Sequence, residues 1–591
     1  MRKRIIAILL VMVGLLEGCG GPLINKSDDN VWMKEREAII TFWNPNYARG
    51  ISYNASTSSL TDILTYSDEQ IDKYIEMLKF CGFTGVQLTE MCAAWGGVSG
   101  YEFANQQMRK FAESAHKHKM KVTLWVWGAE FSDFGWSDSS AKYVTYDKNC
   151  TYAYEDPLVY NTFDKYYDIY ASLADCSDRV IMHFFDPGNL ITSEDIVYFA
   201  NMFREKVRAV NPKADFGISC WHKDTDPQTL LDTLGNDITL YETATPTNGM
   251  DAVLFRNTVK ESGARLGTWS WGTIEREVDQ LAQWNYNAEY IKNTYTLMAG
   301  CDSVMKPEYW SEMDSYHVLN VFSLYAAGHL LQDYSQDTDK LTLDVAKATV
   351  GPEKAEQFAG VLRLVEKART GATAETMDWE SENYVLLSDA YPYDEILAEC
   401  EELIPFVEGL ITSNVESYEL PLPISLHDLL SLILPHLKQI EKYATFRRDY
   451  AELMDDMGNG TIALGDFETR MEEIGRPIPE YNAIIGLWGQ PEARAQRFLV
   501  MEACEKYGVG YPVYPPYDAL RKNRIFDEMV STQLKKDYMH QYWRYQYTCA
   551  FGEEETERLM DEMVRDGILE KHDDYYALSN WEEYIYNYYK Y

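Results

Sequence analysis

The segment RVIMHFFDPGN, residues 179–189, joins an apolar run to an acidic residue and a turn signal. The run has the length and composition of a buried strand, and Pro187-Gly188 predicts that the chain turns away directly after Asp186. The same order of short apolar strand, polar or aromatic tip and amphipathic helix recurs between residues 38 and 331. Strands that alternate with helices form parallel sheets, and eight such units close into a barrel. The sequence therefore predicts an α/β fold built on a (β/α)₈ TIM barrel.

The predicted strands share an apolar centre and a polar or aromatic end. They are Ala38–Trp43, Gly85–Glu90, Lys121–Gly128, Arg179–Asp186, Asp215–Trp221, Asp237–Glu242, Arg265–Trp271 and Asp302–Tyr309. Barrels of this kind carry their active sites at the carboxyl ends of the strands. The candidate site residues at or beside these ends are Trp43, Glu90, Trp127, Glu130, Asp186, Trp221, His222, Glu242, Trp269, Trp271, Glu308 and Trp310.

Two of the acidic candidates end strands that lie two positions apart in the predicted barrel. Asp186 ends the fourth strand and Glu242 the sixth. Hydrolysis of a glycosidic bond needs two carboxyl groups, one to protonate the leaving oxygen and one to attack or to activate water. We therefore predict Asp186 and Glu242 as the catalytic pair, with Glu90, Glu130 and Glu308 as competing carboxylates. The structural alternative for Asp186 is a carboxylate that hydrogen-bonds its own turn.

Tryptophans are the second feature of the predicted strand ends. Indole faces pack against the apolar faces of sugar rings, and His222 beside Trp221 is predicted either to bind a sugar hydroxyl or to tune a neighbouring acid. Because aromatic side chains also dominate ordinary cores, packing is the alternative role. Trp269 and Trp271 are two residues apart on one strand, so both face the barrel axis or neither does. His183, inside the fourth strand, is equally well explained as a buried residue of the barrel interior.

The N-terminus resembles an export signal. Basic residues precede the apolar run Ile5–Leu16, which is too short to span a bilayer, and LEGC at 16–19 resembles a bacterial lipobox. Residues 1–18 are therefore predicted as a lipoprotein signal peptide, Cys19 as the lipidated residue and 19–36 as a tether. An ordinary secretory signal is the alternative. The lipoprotein prediction places the protein in a bacterial cell envelope, at the outer membrane or cell surface, held only by its lipid anchor.

The remaining chain divides by pattern into three parts. Residues 37–338 are the predicted catalytic barrel, 339–495 read as helices without strands between them, and 496–591 as a helical region with a small hairpin. The acidic composition, 93 Asp and Glu against 54 Lys and Arg, argues against a nucleic-acid partner because phosphate contacts need basic clusters. No metal site, phosphate loop or organic cofactor is predicted, because none of the spacings that these groups require occurs.

The passage HVLNVFSLYAAGHLLQD, followed by LTLDVAKATVG, lies where the last barrel helix leads into the helical region. It resembles the corresponding passage of exo-acting glycoside hydrolases of the α-glucuronidase-like and β-N-acetylhexosaminidase-like groups. The resemblance implies an oligosaccharide or polysaccharide substrate. It does not supply a catalytic pair, because Asp186-Pro187-Gly188-Asn189 stands where hexosaminidases of that type have paired acidic residues. The alternatives are a carbohydrate-binding surface lipoprotein without activity, and a lyase or aldolase using Lys306.

Overall fold

A computed structural model describes most of the barrel and of the helical region. The described residues are 31–42, 63–90, 92–128, 157–183, 193–219, 226–243, 252–270, 284–301, 309–314, 318–373, 391–476, 478, 491–510, 553–567, 569–571 and 576–578. Cys19 and the signal peptide lie outside these residues, so the export signal and the lipid anchor stay predictions. No helix among the described residues is long and apolar enough to cross a membrane.

Eight parallel strands pair in chain order and close into a barrel, as the sequence predicted. Their bounds are β1 Glu35–Phe42, β2 Gly85–Glu90, β3 Lys121–Trp127, β4 Arg179–His183, β5 Asp215–Ser219, β6 Thr239–Thr243, β7 Arg265–Ser270 and β8 Tyr309–Asp314. Followed once around the barrel from Thr41, the strand register returns to β1 at position 33, eight residues earlier. A shear of eight is the geometry of the TIM barrel.

The first and last strands differ from their predicted bounds. β1 begins at Glu35, and Trp32 and Met33 before it are already buried, so part of the predicted tether belongs to the barrel. The predicted eighth strand, Asp302–Tyr309, is wrong, because β8 begins only at Tyr309. The helix before it runs to Cys301, and the apolar residues near 302–305 suggested a strand too early. Glu308 precedes β8 in the sequence and lies outside the described residues.

A helix follows each strand of the barrel. These helices are α1 Asp68–Phe80, α2 Cys92–Lys117, α3 Pro157–Ala171, α4 Ser193–Val210, α5 Pro227–Leu234, α6 Ala252–Ser262, α7 Ala288–Cys301 and α8 Val321–Gln332. Local sequence explains several starts. Ser67 and Gln70 form a reciprocal capping box at α1, and Asp226 caps α5 ahead of Pro227.

The barrel interior is filled by side chains in layers contributed by alternate strands. Ile39, Trp125, Ile181, Tyr241 and Trp269 come from five strands and form one apolar cluster, separate from the main core between strands and helices. Residues from strands that are not neighbours meet only across the axis, so these five side chains point inward. Their neighbours in sequence point outward against the helices.

Glycines on two strands make room for one ring of this cluster. Tyr241 of β6 is 1% exposed and lies between Gly217 of β5 and Gly267 of β7. A Cβ atom built on Gly267 would be 2.2 Å from Tyr241 Cε1, and one on Gly217 would be 2.8 Å from Cε2. Glycine inside a strand usually marks such a close approach.

We expect Gly267→Ala to destabilise the protein by about 3 kcal/mol, because the added methyl forces Tyr241 or β7 to move within a packed interior. Chemical denaturation followed by tryptophan fluorescence measures the change. Gly409→Ala is the matched control, since nothing lies within 4 Å of its added carbon. In the helix that carries Gly409, alanine should stabilise by about 1 kcal/mol. A Gly267→Ala variant as stable as wild type would contradict this packing.

Charged residues close the amino end of the barrel. Glu37 of β1 is fully buried, and its Oε1 accepts hydrogen bonds from Thr123 Oγ1 at 2.8 Å and from Arg179 Nη1 at 3.0 Å. Arg179 Nη2 also lies 2.9 Å from Glu35 Oε2. In a barrel of this class the amino end contributes stability while the carboxyl end carries chemistry. This network is therefore structural.

The helical region begins directly after the barrel. It contains α9 Thr338–Val350, α10 Ala355–Thr373, α11 Tyr393–Thr412, α12 Leu426–Gly458, α13 Leu464–Ile474 and α14 Pro491–Tyr507. α8 is buried on nearly every side because it packs between α1 and α7 of the barrel and α9 of this region. Near the C-terminus, α15 Glu553–Arg565 is followed by the antiparallel pair β9 Leu569–Lys571 and β10 Tyr576–Leu578, within the region predicted as helical with a small hairpin.

Candidate active site at the carboxyl end of the barrel

Three rings lie at the upper end of the packed barrel interior. The imidazole of His183, the last residue of β4, meets the indoles of Trp125 and Trp269 at centroid distances of 4.8 and 5.4 Å, both nearly edge to face. The two indoles are 5.0 Å apart. All three side chains are buried. Trp269 thus faces the axis, one of the two orientations that alternation allowed, and it packs in the interior layer there.

Burial determines the charge of His183. Desolvation lowers the pKa of its imidazole from 6.5 to about 3, so the ring is neutral across the physiological range. A neutral imidazole between two indoles acts as a packing and hydrogen-bonding group and carries no positive charge toward the site. The three rings below the carboxyl ends of β3, β4 and β7 therefore form an aromatic cluster, and the imidazole of His183 within it is uncharged.

We expect His183 to make the protein less stable in acid. The unfolded chain binds a proton as pH falls below 6.5, whereas the folded chain does not until about pH 3. The contribution of His183 to the free energy of unfolding is fully present above pH 6.5 and falls by about 1.4 kcal/mol for each unit of pH between 6.5 and about 3. Denaturation curves between pH 7 and 4 measure the slope, which should be shallower in His183→Gln. An identical slope in the variant would contradict a buried neutral imidazole.

Glu242 lies on the outer face of β6, which corrects its predicted place in the cleft. Its neighbour Tyr241 points into the barrel, so alternation turns Glu242 toward the helices. Its Oε1 is 2.8 Å from Arg256 Nε and 2.6 Å from Arg256 Nη2, on α6, and 3.2 Å from Thr268 Oγ1. Both members of the ion pair are buried. This position makes Glu242 a structural residue that ties β6 to α6.

Hydroxyl groups form the highest described level of the barrel interior. Thr41 of β1 and Thr89 of β2 are register partners, and Thr89 pairs with Trp125 on its other side. They share the phase of the inward residues Ile39 and Trp125, so their side chains point to the axis. Both are more than nine-tenths buried. Toward the carboxyl ends the described interior therefore combines hydroxyl groups with the aromatic rings of Trp125 and His183.

The other candidates divide by what the structure describes. Glu90 and Trp127 are the last residues of β2 and β3, at the predicted end of the barrel. Trp310 is the second residue of β8 and pairs with Arg36 near the start of β1, so it lies toward the amino end, contrary to prediction. The candidates outside the described residues are Trp43, Glu130, Asp186, Trp221, His222, Trp271 and Glu308.

Sequence reasoning missed Trp125, Thr41 and Thr89 as residues of the upper interior. The predicted candidates were residues at or beside the strand ends, whereas these three residues lie one or two positions before the ends of their strands. The alternation of side chains along a strand could have identified them, because residues spaced by two from a known inward residue point to the same face. Among the described residues, no group of three or more His, Cys, Asp or Glu side chains could hold a metal ion.

The closed parallel barrel with a helical region behind it defines the fold class. No protein-family model matches the sequence, and no curated protein matches it. The three similar solved structures described next are named as glycoside hydrolases, the class to which the sequence resemblance pointed.

One is a family GH138 enzyme targeting pectin rhamnogalacturonan II, with 12% identity, a TM-score of 0.46, and coverage of 98% of this chain and 86% of that one. Another is a family 89 glycoside hydrolase from Clostridium perfringens in complex with PUGNAc, with 10% identity, a TM-score of 0.44 and coverage of 94% and 66%. A third is a GH115 4-O-methyl-α-glucuronidase with specificity for decorated arabinogalactans, with 11% identity, a TM-score of 0.41 and coverage of 70% and 55%.

Proposed function

We propose that this protein is a glycoside hydrolase that cleaves glycosidic bonds of oligosaccharides or polysaccharides at the carboxyl end of its barrel. The observation that carries the proposal is the edge-to-face cluster of Trp125, His183 and Trp269 at the top of the packed interior. His183 is the last residue of β4, and Asp186 follows it by three residues in the sequence. Function in a barrel of this class depends on groups at these strand ends.

The proposed reaction uses two carboxyl groups. One donates a proton to the glycosidic oxygen as the bond from the anomeric carbon to that oxygen breaks, and the other attacks the carbon or removes a proton from the attacking water. The products are a free sugar and an alcohol, with one water consumed. Asp186 remains our first candidate, because in the sequence it ends the apolar run that follows Arg179 and directly precedes Pro187-Gly188. Because Glu242 is bound by Arg256, Glu90 or Glu130 replaces it as the proposed second carboxylate.

A panel of 4-nitrophenyl glycosides and plant or bacterial oligosaccharides tests this function. The expected result is release of one sugar from at least one substrate, and loss of this activity in Asp186→Asn. Activity that disappears in Glu90→Gln or in Glu130→Gln, but not in both, would identify the second group. Ligand-induced thermal stabilisation without any hydrolysis would instead support the alternative of a carbohydrate-binding lipoprotein.

A further inference from the structure

Three buried hydroxyl groups near the carboxyl ends of the described strands lack hydrogen-bond partners, and two of them, on Thr41 and Thr89, are adjacent, while Ser219 lies apart at the end of β5. Among the residues that the structure describes, Thr41 Oγ1 and Thr89 Oγ1 are completely buried and bond to no other group. The side chains are 5% and 1% exposed. A buried hydroxyl without a partner is unfavourable by about 1–3 kcal/mol, and nearly all buried polar groups in folded proteins are bonded. Two such groups side by side therefore need an explanation.

Two inward-facing threonines at the amino end of the barrel provide a comparison for the hydrogen bonding of Thr41 and Thr89. Thr123 of β3, at the amino end, donates its hydroxyl hydrogen to Glu37 Oε1 at 2.8 Å. Thr239, the first residue of β6, is fully buried and its hydroxyl also has no partner within the described part of the chain. Thr239 lies at the amino end, far from the strand ends that carry chemistry. It therefore matches Thr41 and Thr89 in burial and chemistry but not in position.

We propose that Thr41 and Thr89 are specificity-determining residues whose hydroxyls bind a hydroxyl group of the sugar ring held at the mouth of the barrel. This inference rests on the proposed function and extends it to the substrate. Thr41 and Thr89 are paired on adjacent strands, which lie about 4.8 Å apart, so one ring hydroxyl can reach both side chains. A hydroxyl can donate one hydrogen bond and accept others, so the two side chains can satisfy it from both directions.

The chemistry of this floor, formed by Thr41, Thr89 and His183, selects a neutral part of the sugar. Its two hydroxyls carry no charge, and the His183 imidazole stays neutral because burial lowers its pKa. A uronate carboxylate pointing into the barrel would meet no cation among these three residues, and burying an unpaired carboxylate is strongly unfavourable. A neutral polar substituent such as a hydroxyl therefore fits this floor, whereas a carboxylate does not.

Valine replaces threonine with nearly the same shape and without the hydroxyl, so Thr41→Val and Thr89→Val test the assignment. We expect each variant to melt at a higher temperature than wild type without ligand, because an unsatisfied buried group is removed. We expect kcat/KM for the 4-nitrophenyl glycoside that wild type cleaves fastest to fall by about 3–10-fold per valine, the value of a neutral hydrogen bond. For a deoxy analogue of that glycoside, which lacks the hydroxyl bound by Thr41 and Thr89, kcat/KM should be the same in wild type and in both variants.

Thr239→Val is the matched control, and it should raise the melting temperature while leaving kcat/KM unchanged. Equal kcat/KM in wild type, Thr41→Val and Thr89→Val would overturn this inference alone, since the hydroxyls would then hold only buried water. Equal losses in Thr239→Val would also overturn it, because the effect would not depend on position. A wild-type protein that neither cleaves nor is stabilised by any glycoside would overturn the proposed function and this inference together.

Discussion

Asp186→Asn should lower kcat by about 10³-fold while leaving the folded structure in place. General acid–base catalysis contributes about 10²–10⁴-fold, and an amide can neither donate a proton to a leaving group nor attack an anomeric carbon. Asparagine has the size of aspartate and keeps the hydrogen bonds of an Asx turn before Pro187-Gly188. A turn-stabilising role for Asp186 would therefore leave kcat close to that of wild type.

Comparing substrates with different leaving groups distinguishes the possible catalytic roles of Asp186. If its carboxyl protonates the glycosidic oxygen, the loss should be large for oligosaccharides and small for 4-nitrophenyl glycosides, whose leaving group needs no proton. If it is the nucleophile, both substrates should be affected equally. Asp224→Asn is a suitable control, because Asp224 also follows a strand, β5, and we assign it no catalytic role. Full turnover in Asp186→Asn on both substrates would move the catalytic group elsewhere.

Arg256→Met should destabilise the protein by about 3–5 kcal/mol, since it leaves Glu242 buried without its charge partner. Arg256 and Glu242 are 2% and 0% exposed and joined at 2.6–2.8 Å between β6 and α6. Glu242→Met should be similarly unfavourable. The double variant Glu242→Met with Arg256→Met should recover most of the loss, because replacing a whole buried ion pair by apolar side chains is often neutral or stabilising.

Activity distinguishes this structural role from the catalytic one predicted from sequence. Well below its melting temperature, the double variant should hydrolyse substrate at nearly the wild-type rate. Urea denaturation gives the free energies of unfolding, and initial rates at low temperature give kcat for the same preparations. A double variant that is as stable as wild type but inactive would return Glu242 to the catalytic pair.

The sequence predicted the barrel because strand composition and helix caps are local signals. Gly85–Glu90 was predicted with its observed bounds, and Ser67 to Gln70 form the capping box that their spacing indicates. The eighth strand was misplaced because apolar residues between α7 and β8 resemble a strand as much as the true one does. Only pairing with Glu35–Ile40 of β1 distinguishes the two.

The site was harder to predict because a strand end has two faces. Glu242 and Tyr241 are adjacent, yet one contacts a helix and the other fills the barrel, and their composition does not distinguish them. The phase becomes readable only from a residue known to point inward, such as Tyr241 against Gly217 and Gly267. The same rule identifies Thr41 and Thr89, which no motif marks.

¹H NMR spectra of an oligosaccharide panel, recorded during incubation with the wild-type protein, show directly whether this protein hydrolyses glycosidic bonds. We expect new reducing-end anomeric signals for at least one oligosaccharide, with one anomer appearing first and so revealing retention or inversion. If substrate signals broaden, showing binding, but no anomeric signal ever appears, the protein is not a glycoside hydrolase.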